Sequence, residues 1–310
     1  MNKRIIAVCG PTAIGKTKYA IELAKALNGE VVSADSMQLY KFMDIGSAKP
    51  TAEEQAEVRH HLVDEIDPRV PFSVADYVVM AKAAINDIFS RGKQPVICGG
   101  TGLYINSLIY DMDFSAPPIS IEYRKDLERL AEEKGAVFLH DMLKEKDQAA
   151  ANRIHPNNIK KVIRALEILS QGDDRLREFE ESFIPTKDYE YCLIGLNNER
   201  DILYSRINKR VDLLVEMGLF EEVQGLIQMG LTYDNISMKG IGYKEIIGYF
   251  NGEYDKEAAI ELVKKNTRRY AKRQLTWLRR YEDMHWINLN DYDNDDEVMT
   301  ALMNIALARG

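Results

Sequence analysis

The chain has 310 residues, 45% of them hydrophobic and 29% charged, with 41 Lys/Arg against 49 Asp/Glu for a net charge of −8. This is enough chain to bury one large core or two smaller ones, in a balance that excludes disordered, collagen-like and disulfide-framework proteins. No apolar run approaches the length that spans a bilayer, and the one in "MNKRIIAVCG" is too short for a leader. A cytoplasmic protein without a membrane partner is expected.

The first third alternates in a βα rhythm. "RIIAVCG" reads as a strand, and Lys16 to Leu27 as a helix with Ile21, Leu23, Ala24 and Leu27 inward, ended by "NG". "EVVSAD" is the second strand. "FSVADYVVMAKAAINDIFSRG" follows as a helix with Ser73 as N-cap and Gly92 as its stop. "QPVICGG" is the third strand and "TGLYINSLIYD" opens another helix. Strands alternating with helices imply a parallel sheet with ligand groups at the strands' C-terminal ends.

The rhythm breaks at the proline-marked "FSAPPISIEY". From Tyr123 to about Glu181 the pattern is helical, with Ser120 as one cap and Asn157 or Asn158 as another, and strand character resumes in "YCLIGLN". The expected architecture is an α/β core of P-loop type, residues 1–114 and 191–310, carrying a helical insertion over 115–190. Cys9, Cys98 and Cys192 lie far apart beside apolar residues and read as small buried hydrophobes, not as zinc or disulfide partners.

The chemistry begins with "GPTAIGKT". Gly10 and Gly15 let backbone N–H groups converge on phosphate oxygens, Lys16 adds a point charge, and Thr17 can ligate Mg²⁺. The following helix aims its dipole at the anion. An NTPase adds a strand ending in a Mg²⁺-holding acid. Here "PVIC" ends in "GGTG" and "LIG" in no acid, so a diphosphate used in something other than phosphoryl transfer is a real alternative.

The strand that does end in a carboxylate is "VVSAD". Asp35 there can accept a proton or hydrogen bond from a substrate donor, or can simply cap a turn. Gln38 carries an amide suited to an adenine edge, or to solvent. "GGTGLY" allows close backbone approach, and Thr101 offers a hydroxyl at a helix start, which is also what an N-cap offers. His60 and His61 are adjacent and would not share a helix face, so they read as structural, as does His155 before Pro156.

Basic groups stand out against the acidic total. Lys160, Lys161 and Arg164 share one helix face, and Arg206 and Arg210 are four apart on another. Lys264 to Tyr281 carries eight Lys/Arg and no acid, whereas Glu282 to Glu297 carries seven acids and no Lys/Arg. Such faces are either merely solvated or meet a phosphate-rich partner.

Taken in order, "GPTAIGKT", "SADSMQLYKFMDIGSAKPT", "HHLVDEIDP", "FSVADY", "GGTGLYINSL", "RIHPNNIKKVIRALEI", "RINKRVDLLVEMGLFEEV", "GIGYKEI" and "TRRYAKRQLTWLRRY" resemble the bacterial-type tRNA dimethylallyltransferase family along most of the chain. The resemblance implies transfer of a dimethylallyl group from dimethylallyl diphosphate to N6 of adenosine 37 in tRNAs reading codons that begin with U. It implies that Gly10, Pro11, Thr12, Ala13, Ile14, Gly15, Lys16 and Thr17, with Arg206 and Arg210, hold the donor's diphosphate, helped by Mg²⁺ on Thr17. Asp35 matches the family's general base. Thr101 matches a residue at the same centre, where Lys16 and Arg206 also act on the leaving group.

Matching tRNA contacts are Asp35, Ser36, Met37, Gln38, Thr101, Arg124 and the helix Ile159, Lys160, Lys161, Val162, Ile163 and Arg164. The insertion would hold the anticodon stem-loop, and a monomer is expected. Three departures stand out: Ile14 for a common Ser, Lys161 for a usual Arg, and "SQGDDRLREFEE", where the family pattern is lost.

The chemistry agrees with the residues. Diphosphate leaves readily once neutralised, and an allylic carbon tolerates developing positive charge. An adenine must turn out of its stack to reach such a site, and single-stranded bases are the usual target of sequence-specific RNA readers. The competing readings are a P-loop small-molecule kinase with Asp35 as base, an adenylate isopentenyltransferase acting on free nucleotides, and an RNA-binding regulator that uses nucleotide as a switch.

Overall fold

The computed structural model describes residues 3–112, 120–170 and 183–308. The proline junction and "QGDDRLREFEE" therefore lie largely outside the described residues. In chain order the first elements are β1 (Arg4–Cys9), α1 (Lys16–Ala26), β2 (Gly29–Ala34), α2 (Ala52–Glu57), β3 (His60–His61), α3 (Val74–Ser90), β4 (Gln94–Gly99) and α4 (Gly102–Ile109). Then come α5 (Ile121–Lys146), α6 (Gln148–Arg153), α7 (Ile159–Ser170), β5 (Glu190–Asn197), α8 (Arg200–Glu216) and α9 (Leu219–Gln228). The last are α10 (Tyr243–Phe250), α11 (Lys256–Leu278), β6 (His285–Asn288) and α12 (Asp295–Leu307).

The strands form one sheet in the order β3-β2-β4-β1-β5-β6, and every neighbouring pair is parallel. The central strand β1 is buried from Ile5 through Cys9, because helices cover both faces of the sheet. The register sets Cys9 level with Gly99 and Gly195, and Ala34 level with Gly99. The loops that follow β1, β2 and β4 thus emerge together at the C-terminal edge, where an open α/β sheet binds its ligands. This is the expected α/β fold with a P-loop-like core.

Several local signals act as their residue types dictate. Ser73 and Asp76 form a reciprocal capping box at the start of α3, and Ser120 accepts from the Tyr123 amide at the start of α5. Gly15 holds the left-handed turn (φ 102°) that leads into α1. His60 and His61 occupy the two-residue strand β3, not a helix. His60 Nδ1 lies 2.8 Å from the Val58 carbonyl and His61 Nε2 lies 2.7 Å from Glu30.

Cα packing divides the chain into two compact units, Met1–Ile109 with Thr186–Gly310, and Tyr110–Pro185. The second unit starts and ends five residues before the 115–190 drawn from the sequence. The reason is local. The Asp111 amide donates to the Ile184 carbonyl across a Tyr110–Pro185 bridge, whereas Tyr189 donates its hydroxyl to the Leu108 carbonyl within the first unit.

The first unit packs α1, α8 and α12 around the sheet through Leu23, Ile194, Leu203, Ile207 and Leu302. A second cluster, around Tyr40, Met43, Phe220, Tyr243 and Ile246, supports the loops beside the sheet edge. The Tyr110–Pro185 unit has its own core of Leu127, Leu139, Leu143, Val162 and Leu166. Its long helix α5 is interrupted at Gly135 (φ 86°). No helix among the described residues is long and apolar enough to cross a membrane.

Candidate active site

Two cavities, of about 410 and about 540 Å³, open at the C-terminal edge of the sheet. Their walls share Thr12, Ala13, Asp35, Ser47, Ala48, Arg210 and Leu214. The larger holds the phosphate-loop side, lined by Gly15, Lys16, Thr17, Lys49, Arg206 and Lys209. The smaller is walled by Met37, Tyr40, Phe72, Tyr104, Val211 and Val263, with Tyr270 and Arg273 from α11.

The phosphate loop is built as its sequence suggests, with qualifications. Ala13 takes a left-handed conformation (φ 64°), unusual for a residue with a Cβ. Lys16 Nζ donates to the Pro11 carbonyl at 2.9 Å. Burial pulls the Lys16 ammonium below its ordinary range, Cys98 and Asp35 oppose that shift, and Arg210 adds to it. The Thr12 amide is already taken, since it donates to Gln274 Oε1 at 2.9 Å. The Ile14 side chain packs into the core, its amide donates to the Pro11 carbonyl at 3.4 Å, and Arg206 Nη1 reaches its carbonyl at 3.5 Å. Burial pushes the Cys9 thiol up to about 12 and Cys98 up to about 11, which leaves neither a ready thiolate at neutral pH.

Asp35 follows β2 and lines both cavities. Its Oδ1 accepts the Met37 amide at 2.9 Å, an Asx turn that fixes the carboxylate and leaves its other oxygen for a ligand. Thr101 adjoins it. The Thr101 amide donates to the Ala34 carbonyl at 3.2 Å, and its Oγ1 accepts the Ser36 amide at 3.2 Å. Gln38 is held at both ends: Oε1 accepts from Ser33 at 3.0 Å and Nε2 donates to the Ala48 carbonyl at 3.2 Å. These two bonds fix the orientation of the amide and use one of its two N–H groups.

Two residues of α11 belong to this centre and were not singled out in the sequence. Gln274 is buried and, besides the Thr12 amide, bonds through Nε2 to the Gly100 carbonyl at 2.9 Å. It ties the phosphate loop to the "GGTG" turn. Tyr270 has its hydroxyl in reach of Thr101 and Gln274, and burial together with the Asp35 charge pushes it up to about 12. It is a neutral hydroxyl beside the carboxylate.

The remaining expected contacts fall in the Tyr110–Pro185 unit. Lys160 and Lys161 are exposed, whereas Val162 and Ile163 are buried in that unit's core and offer no side chain to a partner; Ile159 is half-buried. Arg124 forks onto the buried Glu167 at 2.6 and 2.8 Å, and Arg164 reaches the same carboxylate at 3.6 Å. Both guanidinium groups are half-exposed, held by one anion.

Known proteins share this chain's sequence and fold. The family described as IPP transferase matches residues 38–281. A tRNA dimethylallyltransferase of Alkaliphilus oremlandii is 49% identical over 303 residues, covering 98% of this chain and 97% of that relative. The crystal structure of a full-length tRNA isopentenylpyrophosphate transferase from Bacillus halodurans superposes with a TM-score of 0.74 at 45% identity, over 98% of this chain and 96% of that one. A eukaryotic dimethylallyltransferase acting on tRNA gives a TM-score of 0.78 at 27% identity, over 97% of this chain and 79% of that one. The chain belongs to the IPP transferase family.

Proposed function

We propose that this chain is a tRNA dimethylallyltransferase, transferring a dimethylallyl group from dimethylallyl diphosphate to N6 of adenosine 37 in tRNAs that read codons beginning with U. The observation that carries the reading is that Asp35 belongs to the walls of two adjoining cavities, one holding Lys16 and Thr17 of the phosphate loop and one lined by Tyr40, Phe72, Tyr104 and Tyr270. The diphosphate occupies the Lys16–Thr17 side, near Arg206 and Arg210. The base of adenosine 37, turned out of its stack, approaches Asp35 from the other side.

In the transfer, the C1–O bond of the donor breaks as the N6–C1 bond forms. The diphosphate takes the electron pair of the broken bond, and the N6 proton passes to Asp35. Lys16, the arginines and the loop amides other than Thr12 and Ile14, which donate within the protein, neutralise the diphosphate as it leaves. Thr101 and Tyr270 hold the acceptor side of the centre in place. The Asx turn from the Met37 amide orients the Asp35 carboxylate, while Thr101 accepts the neighbouring Ser36 amide and the Tyr270 hydroxyl stands in reach of Thr101.

Mg²⁺ suits the donor set. Thr17 offers one hydroxyl in the same cavity as Asp35, and no group of three or more His, Cys, Asp or Glu able to hold a metal occurs among the described residues. An ion here would take most of its ligands from diphosphate oxygens and water, as Mg²⁺ prefers. It would supply further charge neutralisation. The enzyme works in the cytoplasm, as a monomer, with the 110–185 unit on the anticodon stem-loop.

The test is incubation with dimethylallyl diphosphate, Mg²⁺ and an unmodified tRNA bearing adenosines at 36 to 38, followed by nucleoside mass spectrometry. Dimethylallyl adenosine at position 37 is expected. Product from AMP, or phosphoryl transfer from labelled ATP without RNA, would point to the nucleotide-prenylating or kinase readings instead. Asp35→Ala is expected to abolish product while leaving tRNA affinity nearly intact, and unchanged turnover would remove Asp35 from its role.

A further inference from the structure

The stretch from Phe42 to Lys49 is a wall common to both cavities. Ser47 and Ala48 line both, while Asp44 and Ile45 line the larger one. It contains no helix and no strand, and it bends through two left-handed residues that are not glycine, Phe42 (φ 65°) and Ala48 (φ 50°). Each costs conformational energy. The loop's own bonds run from the Ala48 amide to the Ile45 carbonyl at 2.9 Å and from the Lys49 amide to the Asp44 carbonyl at 3.1 Å, and something outside it joins them in holding it in place.

That something is one carboxylate on α9. Glu222 Oε2 accepts the amides of Asp44 and Ile45, each at 2.7 Å, and Oε1 accepts the Gly46 amide at 2.9 Å and the Tyr243 hydroxyl at 2.9 Å. Three consecutive N–H groups converge on it as they would on a bound anion. The ring of Tyr243, fully buried, presses against Gly46 so closely that a Cβ there would lie 2.5 Å from Cζ. The far end of the loop is fixed by Lys49, which pairs with Asp44 at 2.6 Å and also with Asp64. Through the Ala48 carbonyl the loop bears on Gln38, and so on the segment that begins at Asp35.

We propose that Glu222 is a positioning residue for the transfer reaction, clamping the 44–46 amides so that Ser47 and Ala48 stand where the two cavities meet. The assignment rests on the prenyl-transfer reading. A purely structural role is the alternative, since a Glu in the first turn of α9 also favours the helix dipole. That role would move stability and leave the kinetics of the folded enzyme alone.

Glu222→Gln separates the two. It keeps the side-chain shape and one acceptor oxygen, but sets an NH₂ group against amide donors. Hydrogen exchange is expected to show loss of protection among the Asp44, Ile45 and Gly46 amides, on whichever side the new NH₂ group faces, with the far-UV spectrum retained. Steady-state kinetics well below the variant's unfolding temperature are expected to show kcat/KM for the diphosphate donor falling roughly tenfold to a hundredfold, the scale of a displacement of about 1 Å at a reacting centre.

Gly46→Ala displaces the same loop from the Tyr243 side without touching the carboxylate, and should reproduce that pattern. Should Glu222→Gln not fold, Tyr243→Phe, which removes one donor of four, is read in the same two measurements. Lost protection with unchanged kcat and KM would overturn the positioning role, and unchanged protection would overturn the clamp. Wild-type protein that makes no prenylated adenosine would sink the underlying reading instead, while the exchange result still decides the clamp.

Discussion

Gln274 joins two loops, accepting from the Thr12 amide and donating to the Gly100 carbonyl. Removing it leaves a donor and an acceptor without partners in a closed site, at about 1–3 kcal/mol for each buried group left unsatisfied. Gln274→Leu is therefore expected to lower the unfolding free energy by several kcal/mol at most in urea titration. It should also lower donor affinity, because the phosphate loop loses its brace. Gln274→Glu keeps an acceptor for Thr12 but opposes an oxygen to the Gly100 carbonyl, so it should be impaired as well.

Asp35, Thr101 and Lys16 were legible in the sequence because each ends a strand or opens a helix in a recognisable local pattern. Gln274 and Tyr270 were not. Their partners lie more than 160 positions away in the chain, and α11 offered the reader only its basic side. The spacing of Tyr270, Gln274 and Trp277 on one helix face was visible; what that face touches was not. Gln38 shows the same limit, because the sequence offered an adenine edge or solvent for its amide and not the Ser33 hydroxyl and Ala48 carbonyl it meets within the protein.

Among the elements, the long ones were readable and the short ones were not. β1, β2, β4 and β5 are apolar runs of six to eight residues bounded by turn signals. The strands β3 and β6 have two and four residues, and β6 lies in a tail whose charge hid its pairing with β5. The edge strand β3 is tied to β2 by Glu30, a buried carboxylate that accepts from both arms of Arg91, from Lys93 at 2.8 Å and lies 2.7 Å from His61.

The Arg91 guanidinium, with Lys93 and His61, holds Glu30 far below the usual carboxylate range even though burial acts the other way. A depressed folded-state value means the contribution is complete above the ordinary pKa and is lost as the pH falls below it. Urea unfolding of the wild type should therefore weaken from about pH 5 downward, and the gap to Glu30→Gln should narrow over the same range. At neutral pH that variant should cost nearer about 2 kcal/mol than the about 3–5 kcal/mol of a fully enclosed pair. Arg91 and Lys93 are 32% and 36% exposed, so water can take them back. A gap that does not change with pH would remove Glu30 from this role.

At the scale of the whole molecule, the break in the βα rhythm announced an inserted unit. Its edges were harder to read, since neither Tyr110 nor Tyr189 carries a signal of which core it joins. The chain leaves the first unit after Ile109 and returns at Thr186, whose amide donates to the Ile109 carbonyl at 2.9 Å. The two ends of the cut are thus neighbours in the sheet-bearing unit. That unit keeps the whole sheet, both cavities and every residue proposed to hold the diphosphate.

Replacing 110–185 by a short glycine linker closes a small loop, and loop closure is cheap when the ends are already close. The shortened chain is expected to unfold cooperatively and to bind dimethylallyl diphosphate with an affinity near that of the full chain, read by calorimetry. Its tRNA binding should weaken. The dependence of affinity on salt should also become shallower, since Lys160 and Lys161 go with the excised unit and fewer phosphates are neutralised. The basic residues from Lys264 to Tyr281 remain, so some salt-sensitive binding should persist despite the net charge of −8. If tRNA affinity and its salt slope are unchanged by the excision, the RNA is held by α11 and its neighbours, and the inserted unit must be given another role.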